Sequence, residues 1–278
     1  MNSLKTFGLV GYPVKHSLSP AMHNAAFKFL NINAQYKLFE LRPEELGPFF
    51  CTFEEDYIYG VNVTIPYKES VIPLMGKLTE EASLIGAVNT VKIEDEKLVG
   101  HNTDGNGFIQ DLLGFFPRGI SGIKVSIIGA GGAAKAVGIS LAKHGAQNII
   151  FYDIDRNRAQ GLADKISLEL KLCPAEAVDS IEGLFRGKTD LLINASNSGM
   201  KETDPVLVSK ESLAKVTFVY DLIYNPAKTK LLQLAERSGV KFANGLGMLL
   251  HQGALAFEFW TGKAAPLDQM RNALKEAV

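Results

Sequence analysis

Cysteine is scarce in this chain: there are two, Cys51 and Cys173, among 278 residues. They share no metal-ligand spacing and are too few for a disulfide framework, so a reducing cytosol is the expected compartment. Neither sign of charge is in excess, with 29 Lys+Arg against 30 Asp+Glu and a net charge of −1. So weak a field offers nothing to a nucleic-acid backbone or an anionic membrane, and no basic patch or nucleic-acid-binding module is visible. Long apolar runs are missing as well; none approaches the ~20 residues needed to span a bilayer. The opening Met1-Asn2-Ser3-Leu4-Lys5 leads into no apolar core of signal-peptide length. Internal repeats and low-complexity stretches are absent. What remains is the expectation of a soluble cytoplasmic protein, a monomer or homodimer. Its 46% hydrophobic content is ample for buried cores, and its length suits one large domain or two ordinary ones.

The most informative segment present is Lys124-Val125-Ser126-Ile127-Ile128-Gly129-Ala130-Gly131-Gly132-Ala133-Ala134. An apolar run stops in glycines and a small-residue helical pattern follows, which is the layout of a strand, a tight turn and a helix start. Gly129 allows the turn, Gly131 lets the backbone approach a phosphate, and Ala134 lets the helix pack close to the strand. The free N–H groups at the helix start then face the anion. A second apolar strand, Asn148–Tyr152, ends in Asp153, about twenty residues past the turn, where a ribose-binding acid is expected. A lone glycine motif is weak; in this context it predicts a nicotinamide dinucleotide site. The motif sits mid-chain, so the residues before it are expected to bind substrate.

The pattern along the chain is α/β. Phe7–Gly11, Tyr36–Leu41 and Ile58–Ile65 read as strands. Pro20 opens a helix expected to carry Met22, Ala25, Ala26, Phe29 and Leu30 on one side. Pro43-Glu44-Glu45 and Thr79-Glu80-Glu81-Ala82 look like helix starts. Ala87–Ile93 and Lys97–Gly100 read as a hairpin around Glu94-Asp95-Glu96, and Asp104–Phe116 as a helix. From Lys124 strands and helices alternate, with Lys124–Ile128, Asn148–Tyr152, Asp190–Ala195 and Phe218–Asp221 the strongest strands, which implies a parallel doubly wound sheet. Helices are expected over Thr229–Ser238, Leu246–Trp260 and Pro266–Ala277. The expected division is a substrate-binding catalytic domain over residues 1–105, a Rossmann-like nucleotide-binding domain over 106–244, and C-terminal helices over 245–278 that complete the first domain.

Hydride transfer from an alcohol needs a proton acceptor, polar groups that orient the carbon, and shelter from water. In Asn62-Val63-Thr64-Ile65-Pro66-Tyr67-Lys68, strand alternation puts Asn62 and Thr64 on the same side, and Lys68 can reach back toward them. The plainer reading of Lys68 is a solvated lysine. Asn102-Thr103-Asp104-Gly105 places a carboxylate at a turn, where Asp104 could equally cap the following helix. Ser17 and Ser19 offer two hydroxyls ahead of a helix, or Ser19 is its N-cap. His16 and His23 have no carboxylate at ligand spacing, so no metal site is expected.

With these residues in hand, the chain resembles the shikimate/quinate dehydrogenase family over essentially its whole length. The marks are His16-Ser17-Leu18-Ser19-Pro20 with His23-Asn24, the Asn62–Lys68 segment, Gly86-Ala87-Val88-Asn89-Thr90, Asn102–Gly105, the Gly129–Ala133 turn, Asp221-Leu222-Ile223-Tyr224-Asn225-Pro226 and Gly245-Leu246-Gly247-Met248-Leu249-Leu250-His251-Gln252. The resemblance implies that Ser17 and Ser19 bind the substrate carboxylate with help from Tyr224. It places Thr64, Asn89, Asp104 and Gln252 on the ring hydroxyls, with Asn62 nearby. It makes Lys68 the proton-transfer residue, paired with Asp104. The implied reaction interconverts 3-dehydroshikimate and shikimate with NAD or NADP, a step toward chorismate and the aromatic amino acids. Glu80, Leu222 and Gly245 fall at the family's cofactor-side positions. Because Gln252 touches substrate in the family, the C-terminal helices are expected to return to the first domain.

Two departures stand out. Where the family pattern has Asn-Arg-Thr, this chain has Asp153-Ile154-Asp155, so the usual 2′-phosphate arginine is missing and NAD is expected over NADP. Arg156 and Arg158 oppose that expectation; Arg156 is expected to be solvated and Arg158 to cover the adenine. Ser196 stands where threonine is commoner. The competing readings are a dual quinate/shikimate dehydrogenase and a catalytically silent nucleotide-binding regulator. Loss of Lys68 or Asp104 would have signalled the second, and both are present.

Overall fold

A computed structural model describes residues 4–53 and 57–277 of the chain. The chain divides into two compact units: residues 1–107 with 249–278, and residues 108–248. The change of unit falls inside the helices Asp104–Leu112 and Leu246–Thr261. No helix among the described residues is long and apolar enough to cross a membrane.

The first unit is built on a six-stranded mixed sheet. Its strands are β1 (Lys5–Gly11), β2 (Ala34–Glu40), β3 (Ile58–Val63), β4 (Lys77–Leu78), β5 (Thr90–Glu94) and β6 (Lys97–His101), in the order β2-β1-β3-β5-β6-β4. β1 runs parallel to β2 and β3, whereas β5 is antiparallel to both β3 and β6. The β5–β6 connection is tight because Asp95 and Glu96 both adopt positive φ, 49° and 58°. Two successive left-handed residues give the turn whose twist matches the flanking strands. Val10, Val61, Val63 and Val91 are fully or almost fully buried, so the central strands have the apolar character of a covered sheet.

The helix Ser19–Phe29 covers this unit through Met22, His23, Ala26 and Phe27, all at most 1% exposed. The expected face was displaced at its far end. Phe29 is 55% exposed, because the helix stops at Phe29 and the residues that meet the sheet lie at i, i+1, i+4 and i+5 from Met22. Phe27 stacks on Phe7 with ring centres 5.1 Å apart. The helix Leu267–Ala277 lies against Ser19–Phe29.

The second unit carries a wholly parallel sheet. Its strands are β7 (Lys124–Ile128), β8 (Asn148–Tyr152), β9 (Ala175–Ala177), β10 (Thr189–Asn194), β11 (Val216–Asp221) and β12 (Lys241–Asn244). The order is β12-β11-β10-β7-β8-β9, so the direction of strand addition reverses between β7 and β10. In such sheets a ligand binds outside the carboxyl ends of the strands at that reversal. Val125, Ile127, Leu191, Leu192, Ile193 and Val219 are at most 1% exposed, as parallel strands covered on both faces require.

Candidate active site

The first unit concentrates polar side chains at the ends of β3, β5 and β6. Lys68 lies just past β3, and its backbone carbonyl accepts a hydrogen bond from Val88 N at 2.7 Å. That bond fixes the Pro66–Lys68 segment beside the start of β5. The Lys68 Nζ donates to Asp104 Oδ2 at 2.6 Å, with the two side chains only 15% and 5% exposed. A lysine this sheltered, bonded to a buried carboxylate, is not the solvated surface lysine of the plainer reading.

Asp104 is not an N-cap. It is the first residue of the helix Asp104–Leu112, and its backbone N–H is taken by Asn102 Oδ1 at 3.0 Å. Asn102 thus satisfies the first N–H of the helix, and the Asp104 carboxylate is bonded to Lys68 instead. The helix ends at Leu112, four residues short of expectation, where Leu113, Gly114, Phe115 and Phe116 close with turn hydrogen bonds.

Asn89 is the hub of the site. Its Nδ2 donates to Asp104 Oδ1 at 2.8 Å and to Thr103 Oγ1 at 2.9 Å, with Gln252 Oε1 at 3.4 Å. Its Oδ1 accepts from Thr103 N at 2.8 Å and Thr90 Oγ1 at 2.9 Å. These donors fix which way the amide faces, so an N–H and not an oxygen meets Asp104. Both oxygens of Asp104 thus have a donor.

Asn62 is 4% exposed, and its amide is fully engaged within the protein. Its Nδ2 donates to Asn89 O and Thr90 Oγ1, both at 3.2 Å, and its Oδ1 accepts from Tyr36 Oη at 2.8 Å. Thr64 is half-buried beyond the end of β3, where its N–H donates to Val10 O at 2.9 Å. Tyr36 and Thr90 join the network although their residue types gave no sign of it; strand pairing across β1–β2, β1–β3 and β3–β5 brings them there.

Ser17 Oγ lies 3.2 Å from Ser19 Oγ and accepts from Ser19 N at 3.2 Å. Ser19 is the first residue of its helix and not the N-cap, a place taken by Leu18 without a side-chain bond. The two hydroxyls sit side by side at the helix start, where N–H groups and the helix dipole favour an anion.

The two histidines of the opening motif have opposite surroundings. His16 is exposed. His23 is wholly buried, stacks face to face on Tyr36 at 4.4 Å, and is held down to a pKa of about 3 by desolvation. Among the described residues no group of three His, Cys, Asp or Glu side chains could hold a metal ion.

Gln252 lies on the helix Leu246–Thr261 and is 8% exposed. It is seated by a close approach: a methyl group on Gly107 would lie 2.5 Å from Gln252 N. Gly107→Ala should therefore destabilise the protein by roughly 1–3 kcal/mol through overpacking. Urea unfolding checks this; an unchanged midpoint would show that the two helices can separate freely.

In the second unit, Gly129 adopts φ +105°, a conformation open to glycine and strained for other residues. The helix Gly132–Lys143 follows, with Gly131 at its N-cap and no side chain capping it. Its first N–H groups are thus not claimed by a side chain, and Gly131 presents backbone to the space where a phosphate would sit. Ala134 is fully buried. These features fit a dinucleotide pyrophosphate.

Asp153, past the end of β8, accepts from Ala130 N at 2.7 Å and from Asp155 N at 2.9 Å. Its carboxylate is therefore fixed beside the Gly129–Ala133 turn. Ile154 is 96% exposed, and Asp155 caps the next helix by accepting from Asn157 N. Arg156 is not simply solvated: it forms an ion pair with Asp179 and bonds Gln160 Oε1. Arg158 reaches the turn, its guanidinium 3.6 Å from where a methyl on Gly131 would lie. Leu222 N donates to Asn194 O at 2.9 Å and Gly245 N to Ile223 O at 3.2 Å. Tyr224 is half-buried in the loop after β11. Glu80 belongs to the first unit and is exposed at the start of the helix Glu80–Ile85, which Thr79 caps. Ser196 Oγ donates to Asn194 Oδ1 at 2.7 Å, a bond that a threonine hydroxyl could equally make.

A dinucleotide-type turn on a parallel sheet, with a buried lysine–carboxylate pair in the companion unit, defines a class: the two-unit nicotinamide-linked oxidoreductases. Comparison with known proteins narrows it. Residues 9–91 match the shikimate dehydrogenase substrate binding domain, and residues 245–275 match the shikimate 5'-dehydrogenase C-terminal domain. Shikimate dehydrogenase (NADP(+)) of Methanopyrus kandleri is 45% identical, covering 97% of this chain and 94% of the relative. A crystal structure of a shikimate dehydrogenase with NADP+ superimposes with a TM-score of 0.88 at 40% identity, covering 98% and 95% of the two chains. The Listeria monocytogenes shikimate 5-dehydrogenase, crystallised with shikimate and NAD, gives 0.86 at 37% identity over 99% and 97%. The chain belongs to the shikimate dehydrogenase family.

Proposed function

We propose that this chain catalyses the reversible, nicotinamide-linked interconversion of 3-dehydroshikimate and shikimate. The observation that carries the reading is the buried Lys68–Asp104 pair at 2.6 Å, oriented by Asn89. Lys68 Nζ takes the proton of the reacting hydroxyl on oxidation and returns it on reduction. Asp104 keeps that nitrogen in place and balances its charge. Thr64, Asn89, Asp104 and Gln252 hold the ring hydroxyls, and the buried Asn62 supports Asn89 from behind. Ser17 and Ser19 bind the carboxylate, with Tyr224 assisting. The nicotinamide, when bound, supplies the hydride acceptor. Gly129, Ala130, Gly131, Gly132 and Ala133 provide the turn for its pyrophosphate; Glu80, Leu222 and Gly245 complete the cofactor side.

Between the two dinucleotides we infer a preference for NAD. Asp153 stands at the ribose position with no neighbouring arginine at position 154. Arg158, close to Gly131, is the residue that would reverse the preference, and the closely related enzymes named for NADP+ weigh on that side.

The product settles the reaction: incubation with shikimate and dinucleotide should yield 3-dehydroshikimate, and its absence would refute the proposal. The carboxylate role has its own test. Ser17→Ala should cost shikimate about 1–3 kcal/mol through an unpaired buried anion oxygen. Shikimate methyl ester should lose less on the same substitution. Equal losses for acid and ester would remove Ser17 from that role.

A further inference from the structure

We propose that Asp221 is a positioning residue for dinucleotide binding, whose buried carboxylate clamps the loops after β10 and β11 against the Gly129 turn. The inference rests on the cofactor reading above.

Asp221 is the last residue of β11 and is fully buried. Its Oδ1 accepts from Asn194 Nδ2 at 3.0 Å and Ile223 N at 3.1 Å, and its Oδ2 accepts from Thr229 Oγ1 at 2.6 Å. These donors belong to three separate segments: the end of β10, the loop after β11, and the N-cap of the helix Lys230–Arg237. Asn194 extends the clamp. Its Oδ1 accepts from Ser196 N and Oγ, and its Nδ2 also donates to Ser198 O at 3.0 Å. The backbone so fixed packs on the dinucleotide turn, since a methyl on Gly129 would lie 3.0 Å from Ala195 C and O and from Ser196 N. One carboxylate thus ties the loop beside the turn to the Ile223–Tyr224 loop, across the ligand-binding end of the sheet.

The three donors to this carboxylate are neutral groups, and it forms no ion pair among the described residues. Lys228 pairs with Glu236 and Lys230 bonds Asp204 O, while the Asp204 carboxylate accepts from Gly199 N and Lys201 N. Desolvation raises its carboxyl to about 6, opposed by the bonds from Thr229, Ile223 and Asn194. A buried charge without a counter-ion is costly, so its place here calls for a function beyond stability.

The direction of the pH effect follows from the donors. All three point at an ionised carboxylate. A proton on Oδ2 would turn the Thr229 bond round, with Asp221 donating to the second lone pair of an oxygen that already accepts from Leu232 N. Proton uptake therefore removes the charge assistance from every arm of the clamp, and dinucleotide affinity falls as pH drops through about 6. Stability moves the other way. A carboxyl raised above its unfolded value adds stability at low pH that is lost as pH rises through the folded value. Asp221→Asn, an isostere of the protonated form, should then melt higher than the wild type above that pH yet bind dinucleotide less tightly.

The test is calorimetric binding of NAD+ and NADP+ to the full-length wild type and to Asp221→Asn across that range, together with melting curves. From about pH 7.5 to about 5.5 the wild-type dissociation constant should rise about twofold to fourfold, the limit for a single linked proton titrating near 6. Asp221→Asn should stay at the weak value throughout, with shikimate affinity unchanged. The 2′-phosphate of NADP+ titrates in the same range, and the comparison between the two proteins removes its effect. A variant that keeps the wild-type pH dependence, or binds as tightly as the wild type at neutral pH, would overturn the role of Asp221. A wild type that binds neither dinucleotide would overturn it together with the cofactor reading.

Discussion

Replacing Lys68 with alanine is expected to lower kcat by roughly 10²–10⁴-fold, the usual weight of one positioned proton-transfer group, with much less effect on substrate affinity. The split follows from the geometry. Lys68 Nζ is bonded to Asp104 Oδ2, whereas the hydroxyl-binding role proposed above falls on Thr64, Asn89, Asp104 and Gln252 as well, of which Asn89, Asp104 and Gln252 are bonded together without it. Removing the lysine leaves that array in place and takes away the proton carrier. It also leaves Asp104 with a donor on only one oxygen, so some affinity should be lost too. Steady-state rates check this: a near-normal kcat in Lys68→Ala would remove the residue from the chemistry.

The second large effect concerns cofactor choice. Asp153 is fixed by bonds from Ala130 N and Asp155 N, so it cannot simply swing away from a 2′-phosphate. Two unit charges at ~4 Å repel by roughly 4 kcal/mol at an effective dielectric of about 20. Solvent and salt at this half-exposed edge reduce that figure considerably. Asp155 adds like charge. Arg156 is held by Asp179 and Gln160; Arg158, beside the Gly131 turn, is the nearby counterweight. Asp153→Asn combined with Ile154→Arg should move the kcat/KM ratio toward NADP by about tenfold or more, since a tenfold change needs only ~1.4 kcal/mol. The fully exposed Ile154 has no packing to lose, so the double variant should fold. A ratio that does not move would place dinucleotide discrimination on Arg158.

How much of this was legible in the sequence depended on whether local pattern or distant pairing set the structure. The strands Lys124–Ile128 and Asn148–Tyr152 stand where their apolar runs placed them, because parallel strands covered on both faces are continuous hydrophobic runs. The three-residue β9 and four-residue β12 were not visible; such short edge strands carry too little pattern and are held by their neighbours. Asp104 showed the limit of local rules. An Asp ahead of a helix reads as a cap, yet Asp104 is itself the first helical residue and its carboxylate turns to Lys68, 36 residues away. The family resemblance named Lys68, Asn89, Asp104 and Gln252. It gave no part to Tyr36 and Thr90, which enter only through strand pairing. Asp221 appeared in the sequence only as one letter of a motif. Its three neutral donors come from separate segments gathered at the buried strand end, which no short window reveals.

The central claim, a dehydrogenase acting on shikimate, is tested most directly by initial rates with shikimate and with quinate, each with NAD and with NADP, followed by the absorbance of the reduced nicotinamide. The account predicts the highest kcat/KM for shikimate with NAD, and lower values for quinate with either dinucleotide. Quinate exceeding shikimate would contradict the substrate assignment. A kcat/KM at least about tenfold higher with NADP than with NAD, worth ~1.4 kcal/mol, would contradict the cofactor assignment. No turnover of either acid would contradict the central claim itself.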